Sequence, residues 1–97
     1  MDRDMNEKKM AGSKTIRVAN ALGIHSRPAA KIVEMSSHAT GRVWLSQGDE
    51  RVDAKSILDI LTLGCSHGSE VTLSMENVKD ATILSKIAKT IEQGFGE

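Results

Sequence analysis

Apolar residues recur along the chain with two periods, and the places where one period gives way to the other mark its elements. In Thr15-Ile16-Arg17-Val18 apolar and polar positions alternate, as in a half-buried strand. From 28 to 38 the spacing changes: Ala29, Ile32, Val33 and Ser36 fall on one helical face, and Thr40-Gly41 suits a helix stop. Alternation returns over 42–46 and 51–53, with Val43 and Leu45 sharing a face, Trp44 pointing away from it, and Gln47-Gly48-Asp49-Glu50 as the turn. A short helix is expected over 54–63 with Gly64 as its stop, and a fourth strand over 70–76 places Val71, Leu73 and Met75 on one side. The last segment has the clearest helical period: Leu84, Ile87, Ala88, Ile91 and Phe95 recur at i, i+3, i+4, i+7 and i+11, after Asp80 as a cap. The order β-α-β-β-α-β-α predicts an α+β domain with helices on one face of a mainly antiparallel sheet.

Length and charge narrow the possibilities. At 97 residues the chain holds one domain, expected over 14–97 behind a leader, 1–13. The leader mixes Asp2, Arg3, Asp4, Glu7, Lys8 and Lys9 without an apolar run, which predicts disorder and fits neither a signal peptide nor a transit peptide. No stretch approaches the roughly 20 apolar residues of a membrane span. Thirteen basic and thirteen acidic side chains cancel, so no global field draws the chain to nucleic acid or to an anionic membrane. Cys65 is the single cysteine, which excludes an intramolecular disulfide and a cysteine-based zinc site and points to a reducing cytoplasm.

The chemistry concentrates in Gly23-Ile24-His25-Ser26-Arg27-Pro28-Ala29-Ala30. Pro28 belongs in a first helical turn, where its missing N–H is no loss, and the restriction proline places on its predecessor sets Arg27 at the helix boundary, with Ser26 or Arg27 as the cap. His25 then lies just outside the helix, where unpaired backbone N–H groups favour an anion. An imidazole nitrogen with a free lone pair can attack phosphorus, and the Arg27 guanidinium and the Ser26 region would hold the phosphate. Local chemistry alone leaves this phosphoryl site and an ordinary solvated helix start equally open.

The octapeptide resembles the active-site signature of the histidine-containing phosphocarrier (HPr) family of the bacterial phosphoenolpyruvate-dependent sugar phosphotransferase system. Lys55-Ser56-Ile57-Leu58-Asp59-Ile60-Leu61-Thr62-Leu63-Gly64 resembles the regulatory-serine motif of the same family, at the family's separation, and the likeness runs from about Lys14 to the end of the chain. The resemblance implies an open-faced β-sandwich, four antiparallel strands covered on one face by three helices. It implies that His25 accepts a phosphoryl group on Nδ1 from enzyme I, with phosphoenolpyruvate as its source and no bound cofactor, and passes it to enzyme IIA components. Arg27 would support that transfer, and an ATP-dependent HPr kinase/phosphorylase would modify Ser56. Such a protein is a monomeric relay and not an independent catalyst.

Other positions refine the reading. Ala54, Ile57, Leu58, Ile60, Leu61 and Leu63 occupy more of a helix than one buried face needs, so Ile57, Leu58 and Leu61 are the expected partner contacts. Glu34 and Asp59 add negative charge near the helices that the family's partners use, which implies either lower affinity for a generic enzyme I or a narrower set of partners. His38 and His67 lack the paired spacing of a metal site, and Cys65 reads as a structural thiol. Trp44 without a basic stripe gives no support for nucleic-acid binding. Two alternatives remain: a nitrogen-type phosphocarrier serving regulation, and a non-catalytic binding module for a regulatory protein, controlled by phosphorylation of Ser56. Retention of both His25 and Arg27 argues against the second, since binding alone needs no nucleophile.

Overall fold

The computed structural model describes residues 10–97; the first nine residues of the expected leader lie outside this range. Seven main elements follow the expected order: β1 (Gly12–Arg17), α1 (Ser26–Ser36), β2 (Val43–Gln47), β3 (Glu50–Asp53), α2 (Ile57–Leu63), β4 (Glu70–Met75) and α3 (Ala81–Glu92). Short 3₁₀ turns at Val78–Asp80 and Gly94–Gly96 flank α3. β1 begins two residues before the expected domain start at Lys14: Gly12 and Ser13 pair with Met75 and Ser74, and the Ala11 N–H reaches the Met75 carbonyl at 2.7 Å.

The strands form one antiparallel sheet in the order β1-β4-β2-β3. β2 and β3 join through Gly48-Asp49, and Gly48 takes φ 60°, where a side chain would be strained. The alternation sorts the faces as expected. Val43, Leu45, Val71 and Leu73 are buried in one core with Ile32 of α1, Ile60 of α2 and Leu84, Ile87 and Ile91 of α3. On the opposite face, Thr15 and Thr72 hydroxyls lie 2.9 Å apart, and Arg51 stacks its guanidinium 4.6 Å from the centroid of the Trp44 ring. This is the α+β open-faced sandwich, with three helices on one side of the sheet. Among the described residues no helix is long and apolar enough to cross a membrane.

Two expectations at the last helix need correction. α3 ends at Glu92, so Phe95 is not part of it; Phe95 instead sits between Gly94 and Gly96 at φ 58° and still packs against the core. Asp80 occupies the cap position of α3, yet its side chain makes no bond to that helix. Its two oxygens accept the Thr40 and Gly41 N–H groups at 2.7 and 2.8 Å, tying the end of the first helical segment to the start of the last.

Candidate functional site

The site begins with a loop whose backbone has little room to move. Gly23 takes φ 71°, and a Cβ there would strike the Cys65 carbonyl oxygen and the Ser66 Cα. The Ile24 N–H donates to that same Cys65 carbonyl at 2.8 Å. Asn20, buried, closes the turn: its carbonyl accepts the Gly23 N–H at 3.1 Å and its side-chain amide donates to the Gly23 carbonyl. Asn-x-x-Gly is a turn former, so the sequence held a signal for Asn20 that the sequence reading did not use.

The chain leaves this turn extended at His25, with φ −92° and ψ −163°, and α1 starts at the next residue. The cap is therefore His25, not Ser26 or Arg27 as expected. Arg27 is helical although it precedes proline, and the Pro28 ring meets no helical carbonyl because residue 24 lies outside the helix. The His25 carbonyl accepts the Ala29 N–H at 2.9 Å and opens the helix, while the imidazole makes no cap bond. Ser26 and Arg27 N–H groups find no partner among the described residues, and Pro28 has none to offer. The positive helix end thus presents two donors beside a ring whose nitrogens are not spent on capping. Ser26 and Arg27 are exposed, and Arg27 forms no ion pair among the described residues.

One contact to the ring had no local signal in the sequence. Nε2 of His25, whose side chain is 36% exposed, lies 3.4 Å from Oε1 of Glu97, 72 residues away. Asn20 Nδ2 approaches the same oxygen at 3.5 Å.

The second motif also lands on a helix start. Ser56 is the cap of α2 and its Oγ accepts the Asp59 N–H at 3.3 Å, so it stands just before the first turn rather than within it. Gly64 ends the helix at φ 62°. Within α2, Ile60 and Leu63 are buried, whereas Leu58 is 71% exposed and Ile57 and Leu61 about half that, at 36% and 37%. Leu22, in the site loop, is 78% exposed; the sequence reading missed it because it lies outside any periodic segment. Glu34 and Asp59 are both exposed.

The remaining candidates stand apart. His38 and His67 are exposed, and no group of three or more potential metal ligands forms among the described residues. Cys65 is buried and burial pushes its thiol pKa up, which makes it a poor nucleophile. Its contribution to the site is its backbone carbonyl.

Comparison with known proteins points to one family. Residues 12–93 match the family model described as "PTS HPr component phosphorylation site". The chain is 37% identical over 84 residues to the phosphocarrier protein HPr of Treponema pallidum, covering 87% of this chain and 96% of that one. It is 37% identical over 83 residues to the HPr of Chlamydia pneumoniae, covering 86% and 77%. Among solved structures, the HPr of Thermoanaerobacter tengcongensis superposes with a TM-score of 0.83 at 36% identity, over 89% of this chain and 97% of that one.

Proposed function

The chain belongs to the HPr family, the phosphocarriers of the phosphotransferase system, and from that premise we propose that His25 is its phosphoacceptor and α1 its phosphate cradle. The observation that carries this reading is the imidazole at the cap of α1, free of capping and next to the unpaired Ser26 and Arg27 N–H groups. The Nδ1 lone pair attacks phosphorus on phospho-enzyme I, itself charged from phosphoenolpyruvate. The bond to enzyme I breaks as the N–P bond forms. A nucleophile on an enzyme IIA component then takes the group, and the electron pair returns to Nδ1. Transfer of this kind asks the protein for position and charge rather than for covalent chemistry of its own. Two backbone donors, the helix dipole and the Arg27 guanidinium supply both.

The exposed apolar surface of Leu22, Ile57, Leu58 and Leu61 is the proposed docking face for enzyme I and enzyme IIA components. The free Cys65 thiol suits a reducing cytoplasm. Asp59 lies on the same helix as that face and Glu34 is exposed on α1, and their charge selects against acidic partners. Ser56 is the proposed target of an HPr kinase/phosphorylase. A phosphate on its Oγ adds about 1.5–2 negative charges beside Ile57 and Leu58.

The test is incubation with a host-matched enzyme I, magnesium and phosphoenolpyruvate, followed by intact-mass measurement of wild type and His25→Ala. One acid-labile phosphate on wild type and none on the variant is expected. No phosphate on wild type, with the enzyme I shown to be active, would remove the carrier reading of His25 and leave a regulatory binding module.

A further inference from the structure

We propose that the outer edge of β1 is a docking groove for an acidic, extended peptide segment of a partner protein, which joins the sheet as a fifth strand. β1 is the end strand of the order β1-β4-β2-β3, so its only sheet partner is β4. The Val18 N–H turns toward β4 and donates to the Ser69 carbonyl at 2.9 Å. Counting back by two in the same register sets the backbone N–H and C=O groups of Ile16, Lys14 and Gly12 on the β4 side, and those of Ser13, Thr15 and Arg17 on the side away from the sheet. The Thr15 and Thr72 hydroxyls, 2.9 Å apart, fit this phase, since side chains approach most closely where a facing pair exchanges no backbone bonds. No loop or helix among the described residues bonds to the three outward N–H groups.

There is room for a strand beside this edge. Beneath it α3 presents Ser85 and Ala88, small side chains one turn apart, and between them and β1 lies a hollow of about 420 Å³ lined also by Lys14, Ile16, Lys89 and Glu92. A second hollow of about 430 Å³ continues past Arg17 to Ala19 and His67 and shares Glu92 with the first. The six residues of β1 give a seat about 20 Å long, enough for five or six residues of extended peptide. The other end strand, β3, has four residues and carries carboxylates at both ends, Glu50 and Asp53, so the two edges differ in length and in sign.

Charge selects the occupant. Lys14 and Lys89 line the first hollow and form no ion pair among the described residues. Arg17 divides its guanidinium between the Gly68 carbonyl, at 2.8 Å, and the Glu70 carboxylate, at 3.4 Å. Against these three cations the groove sets one carboxylate, Glu92. Main-chain bonds to Ser13, Thr15 and Arg17 would hold any strand; acidic side chains toward Lys14 and Lys89, with a small apolar one between them over Ile16 and Ala88, would choose which strand and in what register. Lysines at an edge discourage pairing with unselected strands, and the same charge favours an acidic one. α2 packs beside β3, at the far end of the sheet, so a peptide on β1 leaves the α2 face clear. The proposal is therefore independent of His25 as phosphoacceptor.

The test is an amide NMR titration of the full chain with the capped peptide Glu-Thr-Val-Thr-Glu. Saturable shifts at Ser13, Thr15 and Arg17 are expected, with slowed solvent exchange of those three N–H groups, and the peptide Lys-Thr-Val-Thr-Lys should bind about tenfold more weakly or worse. Lys14→Glu/Lys89→Glu, a change confined to exposed side chains, should reverse that preference. Thr15→Pro removes the central outward N–H where an edge strand tolerates proline and should abolish binding; if it does not fold, the charge-reversal variant still decides. No saturable shift with the acidic peptide, or equal binding of the two peptides, would overturn the proposal. Protection of the three amides without any peptide would overturn it as well, giving the edge to a second copy of the chain if it grows with protein concentration and to residues 1–9 of the same chain if it does not.

Discussion

The Cys65 carbonyl oxygen occupies the space that a side chain on Gly23 would need, and the same oxygen accepts the Ile24 N–H at 2.8 Å. One backbone atom after α2 therefore sets the path of the loop that presents His25. Gly23→Ala would put a methyl group into that carbonyl at a positive φ, and neither neighbour is a side chain that could swing away. The expected result is a loss of stability of about 2–4 kcal/mol in denaturant unfolding, with slower phosphoryl acceptance in the folded fraction. A fully stable Gly23→Ala protein would mean that the loop relaxes without cost.

Asp80 gives the fold an acid-sensitive tie. Burial opposes its charge, but hydrogen bonds from the Gly41 and Thr40 N–H groups and the nearby Lys55 ammonium outweigh that, and its carboxyl pKa lies below the ordinary value. A carboxyl lowered on folding contributes stability that is fully present above its unfolded pKa, about 3.9, and is lost as pH falls through the lower folded value. Unfolding free energy is expected to decline over that acidic window in wild type. In Asp80→Asn the decline should be shallower, from a starting point about 1.5–3 kcal/mol lower at neutral pH. Parallel pH profiles of the two proteins would show that other carboxylates govern the acid limb.

Arg27 and the backbone donors of α1 can be separated by mutation. The Arg27 side chain is exposed and forms no ion pair among the described residues, so Arg27→Ala should leave stability within about 0.5 kcal/mol of wild type. Acceptance from phospho-enzyme I is expected to slow by about 10- to 100-fold, because a cation aimed at the transferring group acts chiefly in the transition state. Arg27→Lys should recover part of the rate, a point charge being retained without the planar fork. Rapid-quench kinetics on the three proteins decides this.

How far these features were open to sequence reading depends on how local their causes are. The sheet and helix order followed from period, since Val43, Leu45, Val71 and Leu73 need only their own strands to show which face they bury. His25 and Ser56 stood out because each lies one residue before a helix, where side-chain identity carries meaning. The cap of α1 was misplaced because the proline rule considers Arg27 and its neighbour alone, while the helix start is fixed by Ile24 bonding to Cys65, 41 residues on. Glu97 was invisible for the same reason. Its approach to His25 depends on three left-handed residues, one of them Phe95, which the helical period had assigned to α3.

Within α2 the exposed and buried apolar residues should separate docking from folding. Leu58 is 71% exposed, so Leu58→Ala is expected to change stability by less than about 0.5 kcal/mol. The same change should weaken binding to enzyme I by about tenfold, the scale of a contact in an interface centre. Ile60 is fully buried, and Ile60→Ala should cost about 2–5 kcal/mol of stability with no direct effect on docking. Calorimetric titration beside thermal unfolding would test the pair, and equal binding by Leu58→Ala and wild type would place the docking face elsewhere.

Ser56 combines both roles in one hydroxyl, and two substitutions pull them apart. Its Oγ accepts the Asp59 N–H, so Ser56→Ala removes a cap and is expected to cost about 1 kcal/mol of stability while leaving the docking face uncharged. Ser56→Asp keeps an acceptor at the cap, and aspartate caps as well as serine, so the helix should lose little. It nevertheless adds a carboxylate next to Ile57 and Leu58 and close to the exposed Asp59, on a face already carrying negative charge. Binding of enzyme I should therefore fall several-fold in Ser56→Asp and stay near wild type in Ser56→Ala, the reverse of their order in stability. Should both variants bind alike, charge at Ser56 would not gate docking, and a phosphate there would have to act by another route.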